Sequence, residues 1–516
     1  MNAKPKGVLV VDLGAQYAQL IARRVREAGS YCEIAPPRRA LEVARAMNLG
    51  AVILSGGPAS VYAADAPAVP RGLLELGVPV LGICYGMQWI ARELGGEVTR
   101  ADKREFGRQS VEVAMASEIF EGIGGNTVVW MSHGDSVTRL PSGFRVYAQT
   151  EHCPIAAMGD LARGFFGVQF HPEVTHSVRG REVIENFLTR VAKMPGDWRP
   201  EGIVEREIRH VRELVGEDGE VVLGLSGGVD SSVAAMILQK AIGPRLHCIF
   251  VDNGLLRKGE RAVVESQFRD QFGIDLTVVD ATERFLKSLA GVTDPEQKRK
   301  LIGRDFVDVF KLEAKRFSRA HFLGQGTLYP DIIESVNVHG GNTAVIKSHH
   351  NVGGLPKDLN MTLVEPLREL FKDEVRAIGR YLGLDSRIVD RQPFPGPGLA
   401  VRCLGELTRE RLETLREADA IVTSEIEAAG LHKGLWQYFA VLLPVRSVGV
   451  MGDARTYEEA CALRAVESTD AMTADWAHLP HELLGKISNR IINEVRGINR
   501  VVLDISSKPP ATIEWE

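Results

Sequence analysis

Two short stretches of the chain concentrate residues that could do covalent chemistry. In PVLGICYGMQWIARELGG, Cys84 stands where an apolar strand turns into a helix, with Gly82 and Gly86 on either side. This is the pattern of a nucleophile elbow with sulfur in place of oxygen: small neighbours leave the thiol accessible, and the positive end of the following helix favours a thiolate. A lone cysteine is more often a plain buried residue. GFFGVQFHPEV shifts that balance, because a strand-like run ends in His171 and Glu173 follows two residues later. A base oriented by a carboxylate is what an acyl-transferring cysteine requires. LSGGPAS, Leu54 to Ser60, adds a turn whose N–H groups at Gly56 and Gly57 could form part of an oxyanion hole, although SGGP also reads as an ordinary tight loop.

The second stretch, LSGGVDSSV from Leu225 to Val233, follows apolar EVVLG and leads into SVAAMILQKAI. Its glycines let successive N–H groups converge on an anion, and the helix beyond presents its positive end to the same point. The plainer alternative is a glycine turn capping a helix. No lysine stands where a GxxxxGKS or GxxxxGKT loop would place one, which disfavours simple γ-phosphoryl transfer. FVDNGLLR (Phe250 to Arg257) and GQGTLYPDIIES (Gly324 to Ser335) also end strands in polar, glycine-containing turns, and Asp331 and Glu334 at i, i+3 could face one site. IKSHHNVGGLP sets Lys347, His349 and His350 in a glycine-flanked loop suited to a lid over phosphate. Paired histidines could instead hold zinc, but no cysteine lies near them.

These motifs need elements to position them, and 516 residues are too many for one core; at roughly 150 residues per domain about three are expected. The N-terminal part alternates apolar runs (GVLVVDLG, AVILSGGP, VPVLGICYG) with helical patterns, the rhythm of a parallel α/β sheet. In its first helix Tyr17, Leu20, Ile21, Val25 and Ala28 form one stripe, and Gly29 ends it. MPGDWRPEG breaks the pattern, a second α/β series follows, and RQPFPGPGLAVRC breaks it again. The expectation is two successive doubly wound α/β domains, 1–195 and 196–392, and a C-terminal α+β domain, 393–516. In open sheets of this kind ligands lie beyond the carboxyl ends of the strands.

Composition bounds the partners. A net charge of −5 argues against a broad nucleic-acid footprint, and the apolar run after Lys4 and Lys6 is too short for a membrane span or a signal peptide. Six cysteines without a CxxC pair disfavour both zinc and a disulfide framework and point to a reducing, cytoplasmic setting.

Taken together, Cys84 in GxCxGxQ, the HPE at 171–173 and the early SGGP turn resemble the class I glutamine amidotransferase domain, over residues about 7 to 190. The resemblance implies glutamine hydrolysis with Cys84 as nucleophile, His171 as proton donor to the departing ammonia and Glu173 orienting it. It also implies that Gly56, Gly57, Tyr85, Gln88, Ser132, His133, Gly134 and Asp135 bind the glutamine or its oxyanion. SGGVDSS resembles the loop of ATP pyrophosphatases, which implies that Ser226, Gly227, Gly228, Val229, Asp230, Ser231 and Ser232, with Val251 and Gly326, hold ATP and its pyrophosphate. Asp230 falls where that family places a carboxylate for the Mg²⁺ that accompanies ATP; no prosthetic group is implied.

The tail KISNRIINEVRGINRVVLDISSKPPATIEWE, with PFPGPGLAVR and LLPVRSVGVMGDARTY, is similar to the C-terminal domain of the glutamine-hydrolysing GMP synthetase family. That resemblance implies adenylation of xanthosine 5′-monophosphate (XMP) at its 2-carbonyl oxygen, then amination to GMP. It implies XMP contacts from Arg299, Gln437, Lys508 and Glu514 and a homodimer through the C-terminal domain. Two rivals stand beside it. Another ATP pyrophosphatase such as NAD synthetase would accept a different substrate, and a non-catalytic nucleotide sensor would lack one of Cys84, His171 and Glu173, all of which are present.

Overall fold

The computed structural model of the chain describes residues 5–15, 17–58, 60–332, 361–451, 454–468, 471 and 473–516. Lys347, His349 and His350 of the expected lid, and Glu334, lie outside them. The chain divides into two compact units, Met1–Ile203 and Val204–Glu516.

In the first unit β1 (Lys6–Val11), β2 (Tyr31–Ala35), β3 (Asn48–Leu54) and β4 (Val80–Ile83) alternate with α1 (Ala18–Glu27), α2 (Pro37–Ala46) and α3 (Tyr85–Glu93). After α3 come β5 (Glu97–Val113), β6 (Asn126–Arg139), β7 (Arg145–Gln149), β8 (Ala157–Asp160) and β9 (Phe165–Val168). The nine strands form one sheet in the order β2-β1-β3-β4-β9-β8-β7-β5-β6. From β2 to β9 the pairs are parallel, and from β9 onward they are antiparallel. The sheet is therefore mixed, with the expected parallel part and an antiparallel extension. The parallel strands are apolar along their length because helices cover both faces; Val8 to Val11 and Ala51 to Leu54 are buried throughout. In α1, Ile21 and Val25 of the expected stripe are buried with Ala18 and Ala22, at the spacing of one helical face, whereas Tyr17, Leu20 and Ala28 are half-buried.

The second unit holds β10 (Glu220–Gly224), β11 (Leu246–Asp252), β12 (Asp275–Asp280), β13 (Ala320–Gly324) and β14 (Thr362–Val364) in a sheet ordered β12-β11-β10-β13-β14, all parallel. The strand order reverses at β10 and β13, so the switch point where ligands bind such sheets lies at the end of β10, where SGGVDSS begins. The helix after it (Val229–Ile242) is apolar almost all round and correspondingly buried. The last 120 or so residues add a long antiparallel hairpin, β15 (Gln437–Met451) with β16 (Ala454–Glu467), to which β17 (Asp475–Trp476) and β18 (Ile498–Leu503) are joined. Helices Arg409–Ala428 and His481–Glu494 pack on this sheet. The hydrophobic core does not stop at residue 393: Val222, Ile249 and Phe310 share one cluster with Leu399, Leu415, Leu442 and Ile487. Among the described residues no helix is long and apolar enough to cross a membrane.

Candidate active site

The end of β4 delivers Cys84 in a backbone conformation that few side chains adopt, φ 50° and ψ −103°. Strain of this kind persists where the surroundings over-determine it. Here they do: Cys84 N–H donates to Val168 O at 2.7 Å on β9, and α3 starts at the next residue. Glycine is required on both sides. A Cβ on Gly82 would lie 2.5 Å from the backbone of Gly86 and Met87, and one on Gly86 would lie 2.5 Å from Leu54 O.

His171 follows β9 and faces the thiol. Its Nδ1 is 2.8 Å from Glu173 Oε1, with the Glu173 side chain fully buried. The histidine backbone is fixed from both ends, donating to Trp130 O (2.9 Å) and accepting from Ser177 Oγ (2.6 Å). Burial opposes a charge on the ring, but the influence of the Cys84 sulfur and the Glu173 carboxylate outweighs it and raises the His171 pKa to about 10. Cys153 differs: burial, reinforced by the Glu105 charge, pushes its thiol up to about 12, so it does not compete as a nucleophile.

The expected glutamine-binding residues gather around this pair. A Cβ on Gly56 would come within 3.0 Å of His171 Cε1, and one on Gly57 within 2.9 Å of Leu13 O and 3.2 Å of the Tyr85 ring, so the SGGP turn presses bare backbone against the centre. Ser132 O is 3.7 Å from Cys84 Sγ. Gln88 Nε2 donates to Asp135 O (2.8 Å), tying α3 to the 132–135 segment of β6. Gly134 and Asp135 line a cavity of about 480 Å³ with Tyr62, Arg100, Arg104 and Phe106. His133 points its ring elsewhere, with Nε2 3.3 Å from Glu105 and Nδ1 3.1 Å from Asp135 O. One participant escaped the sequence reading: Gln169 is fully buried and donates from Nε2 to Cys84 Sγ at 3.5 Å. Its position two residues before His171 was the available signal, since alternate residues of an extended segment share a face.

In the second unit the glycine loop folds on itself. Ser226 N–H donates to Ser231 Oγ (3.2 Å), while the Ser231 and Ser232 hydroxyls donate to Gly228 O at 3.1 and 2.7 Å. Gly227 takes φ +74°, a conformation suited to glycine. Val229 and Asp230 open the following helix. Gly326, after β13, packs on the loop; a Cβ there would be 3.2 Å from the Asp230 backbone. Val251 is buried near the end of β11. Asp331 accepts from Leu328 N–H at 3.0 Å and caps its own turn.

A lysine does reach this loop, from a distant element. Lys372, first residue of the helix Lys372–Tyr381, places Nζ 2.5 Å from Asp230 Oδ2 across 142 residues of sequence. Arg391 adds a second cation, paired with Glu260 (2.7 Å) and donating to Gly227 O (3.3 Å). No local pattern marks either residue.

The tail is pinned at the same unit. Arg402, fully buried and 3.8 Å over the Phe439 ring, holds Glu514 through two bonds of 3.1 and 2.8 Å, and Gln437 Nε2 reaches Glu514 at 3.0 Å. Arg299 Nη2 donates to Glu516 O (2.5 Å), and fully buried Lys298 reaches Glu516 Oε2 (2.6 Å). Arg299, Gln437 and Glu514 thus meet on one segment. Lys508 stands apart, donating to Ala471 O at 2.7 Å.

Comparison with known proteins covers most of the chain. Residues 9–191 match the glutamine amidotransferase class-I family, 203–300 match NAD synthase, and 424–515 match the GMP synthase C terminal domain. A relative from Brachyspira hyodysenteriae, GMP synthase (glutamine-hydrolyzing), is 59% identical over 509 residues, 99% of either chain. One of the same name from Phenylobacterium zucineum is 58% identical over 518 residues, 100% of this chain and 99% of its own.

Proposed function

The chain belongs to the glutamine-hydrolysing GMP synthase family, and we propose that Cys84 frees the ammonia while the 226–232 loop activates XMP to receive it. It is an ATP-dependent ligase with glutamine as amide donor. The observation that carries the division of labour is the presence, in separate units, of a Cys84–His171–Glu173 centre and a phosphate loop built without a lysine of its own.

In the first half-reaction the Cys84 sulfur attacks the side-chain amide carbon of glutamine. His171 passes its proton to the departing nitrogen, Glu173 steadies the ring, and backbone N–H groups at Gly57 and Tyr85 receive the oxyanion. Water then clears the thioester. In the second half-reaction the 2-carbonyl oxygen of XMP attacks the α-phosphorus of ATP, the loop and Lys372 hold the leaving pyrophosphate, and ammonia displaces AMP. Asp230 fits a role beside Mg²⁺: Oδ1 is buried and unpartnered while Oδ2 meets Lys372. When bound, that ion neutralises charge on the phosphates. Arg299, Gln437 and Glu514 bind XMP, with Lys508 from the same tail. The functional domains we assign within the two compact units run over about 1–195, 196–392 and 393–516. Six buried, free cysteines support a reducing, cytoplasmic setting.

Pyrophosphate release from Mg-ATP, with XMP, inosine monophosphate and deamido-NAD offered in turn, tests the acceptor. Release with XMP alone is expected; release with another acceptor and not XMP would refute the reading of the C-terminal domain.

The raised His171 pKa makes a pH prediction. The imidazolium stays protonated well above its free value of 6.5, so the proton needed by the leaving nitrogen is present across the neutral range and is lost as pH passes about 10. The alkaline limb of glutaminase kcat/KM is therefore expected near 10. The same shift stabilises the fold fully below 6.5, and that contribution disappears as pH rises through 10.

The homodimer has a candidate face. Val445, Val448, Val450 and Tyr457 project exposed from the β15–β16 hairpin, with Val448 paired directly to Tyr457. Single exposed apolar residues are normal, whereas a contiguous set marks an interface. Val450→Asp with Tyr457→Asp is expected to halve the mass seen by sedimentation, from dimer to monomer.

A further inference from the structure

Beside the Cys84 centre, the first unit brings Glu105 of β5, His133 of β6 and Cys153 of the β7–β8 connection together, all buried, with one ligand atom of each within 4.8 Å of the others. We propose that these three residues form a divalent-metal site and that Zn²⁺ is the ion it takes.

The hydrogen bonds around the cluster orient His133 and Glu105 toward each other, while the Cys153 thiol donates to Ile155 O at 3.5 Å and would turn from that carbonyl to the ion. His133 Nδ1 lies 3.1 Å from Asp135 O, and a carbonyl can only accept, so Nδ1 carries a proton. Nε2, the remaining ring nitrogen, faces Glu105 Oε2 at 3.3 Å, a contact that one proton or a metal ion can bridge. A histidine whose other nitrogen is bonded to a backbone carbonyl is also how metal-ligating histidines are held. Glu105 is prepared in the same way: Oε1 accepts from Thr150 Oγ1 at 2.8 Å, leaving Oε2 to face the imidazole. Thr150 Oγ1 also accepts from Cys153 N–H at 2.8 Å, so one hydroxyl fixes both the carboxylate and the turn that delivers the thiol.

The donor set selects the ion. One nitrogen, one sulfur and one carboxylate oxygen suit Zn²⁺ and not Mg²⁺ or Ca²⁺, which take oxygen. A carboxylate, a thiolate and a neutral imidazole carry two negative charges against the two positive charges of the ion. Tetrahedral zinc with bonds of about 2.0–2.3 Å separates its ligands by about 3.3–3.8 Å; Nε2 and Oε2 already stand 3.3 Å apart, and the three ligand atoms, within 4.8 Å of one another, would draw together on the ion. On binding, the Cys153 S–H bond breaks, its proton goes to water, and a Zn–S bond forms. The ion would join two strands and a turn next to Ser132, whose carbonyl lies 3.7 Å from Cys84 Sγ, and so would stiffen the segment behind the nucleophile.

The test uses the full-length chain carrying Cys84→Ala, which removes the other thiol–imidazole pair able to bind metal. After incubation with Zn²⁺ and desalting, mass spectrometry of the metal content is expected to give about one equivalent per chain. In the same background, Cys153→Ser and Glu105→Gln are each expected to reduce it at least tenfold. Cobalt in place of zinc is expected to produce a thiolate-to-metal charge-transfer band that Cys153→Ser lacks. No retained zinc in the parent, or equal zinc in both variants, would overturn the proposal. If the variants fail to fold by circular dichroism, the cobalt spectrum of the parent decides, and absence of the band refutes the site. Metal content is read independently of glutamine turnover, so the result does not depend on the catalytic assignment.

Discussion

Cys84→Ala is expected to lower glutamine-dependent GMP formation by four orders of magnitude or more, while synthesis from ammonium salt stays within about twofold of the parent. The size of the loss follows from the chemistry. Without the sulfur no thioester forms, and the imidazolium and the backbone around Gly57 have no covalent adduct to stabilise. The selectivity follows from the organisation of the chain: Cys84 belongs to the 1–203 unit and the phosphate loop to the 204–516 unit. Alanine at this position keeps the volume small, so the Gly82 and Gly86 contacts that shape the turn are unaffected. The assay is chromatographic measurement of GMP with each nitrogen donor. Loss of both activities would mean that the thiol supports the second unit as well, and loss of neither would remove Cys84 from catalysis.

Lys372→Met is expected to reduce XMP-dependent pyrophosphate release by about two to three orders of magnitude with either nitrogen donor. In the structure this lysine neutralises Asp230, at 2.5 Å. With Mg-ATP bound, Asp230 would hold the ion and the Lys372 ammonium, already at the loop, would be placed to meet the phosphate oxygens. Methionine keeps the length and removes the charge, leaving Asp230 without its cation and the departing pyrophosphate without one of its own. Lys372→Arg, which restores the charge with a different fork of donors, is expected to recover part of the rate. An undiminished rate in Lys372→Met would limit this residue to an ion pair of the free chain.

The contrast between Cys84 and Lys372 shows which parts of the site a sequence can display. Cys84 with its flanking glycines, His171 with Glu173, and the glycine loop are compact words, each on one turn or one strand end, where local spacing dictates geometry. Lys372, Arg391, Arg402 and Lys298 act through the tertiary fold, reaching partners 142, 164, 112 and 218 residues away, and nothing beside them in the chain announces it. Gln169 falls between the two cases, since its alternation with His171 was visible. The sheet divides in the same way. The apolar runs of β1, β3 and β4 announce a parallel core, but β5, EVTRADKREFGRQSVEV, is so rich in charge that its 17 residues do not read as a strand, although β6 pairs along most of its length. The proline-rich break at 393–397 is visible as a break in regular structure, yet the core packs across it, because Leu399 and Leu442 bury against the same residues as Ile249 and Phe310.

The central claim is that ATP activates the 2-carbonyl oxygen of XMP, and oxygen-18 placed in that carbonyl follows it directly. A single turnover with labelled XMP, Mg-ATP and glutamine, analysed by mass spectrometry, is expected to deliver the label to AMP and leave GMP and pyrophosphate unlabelled. Label in pyrophosphate or in water, with none in AMP, would contradict the account.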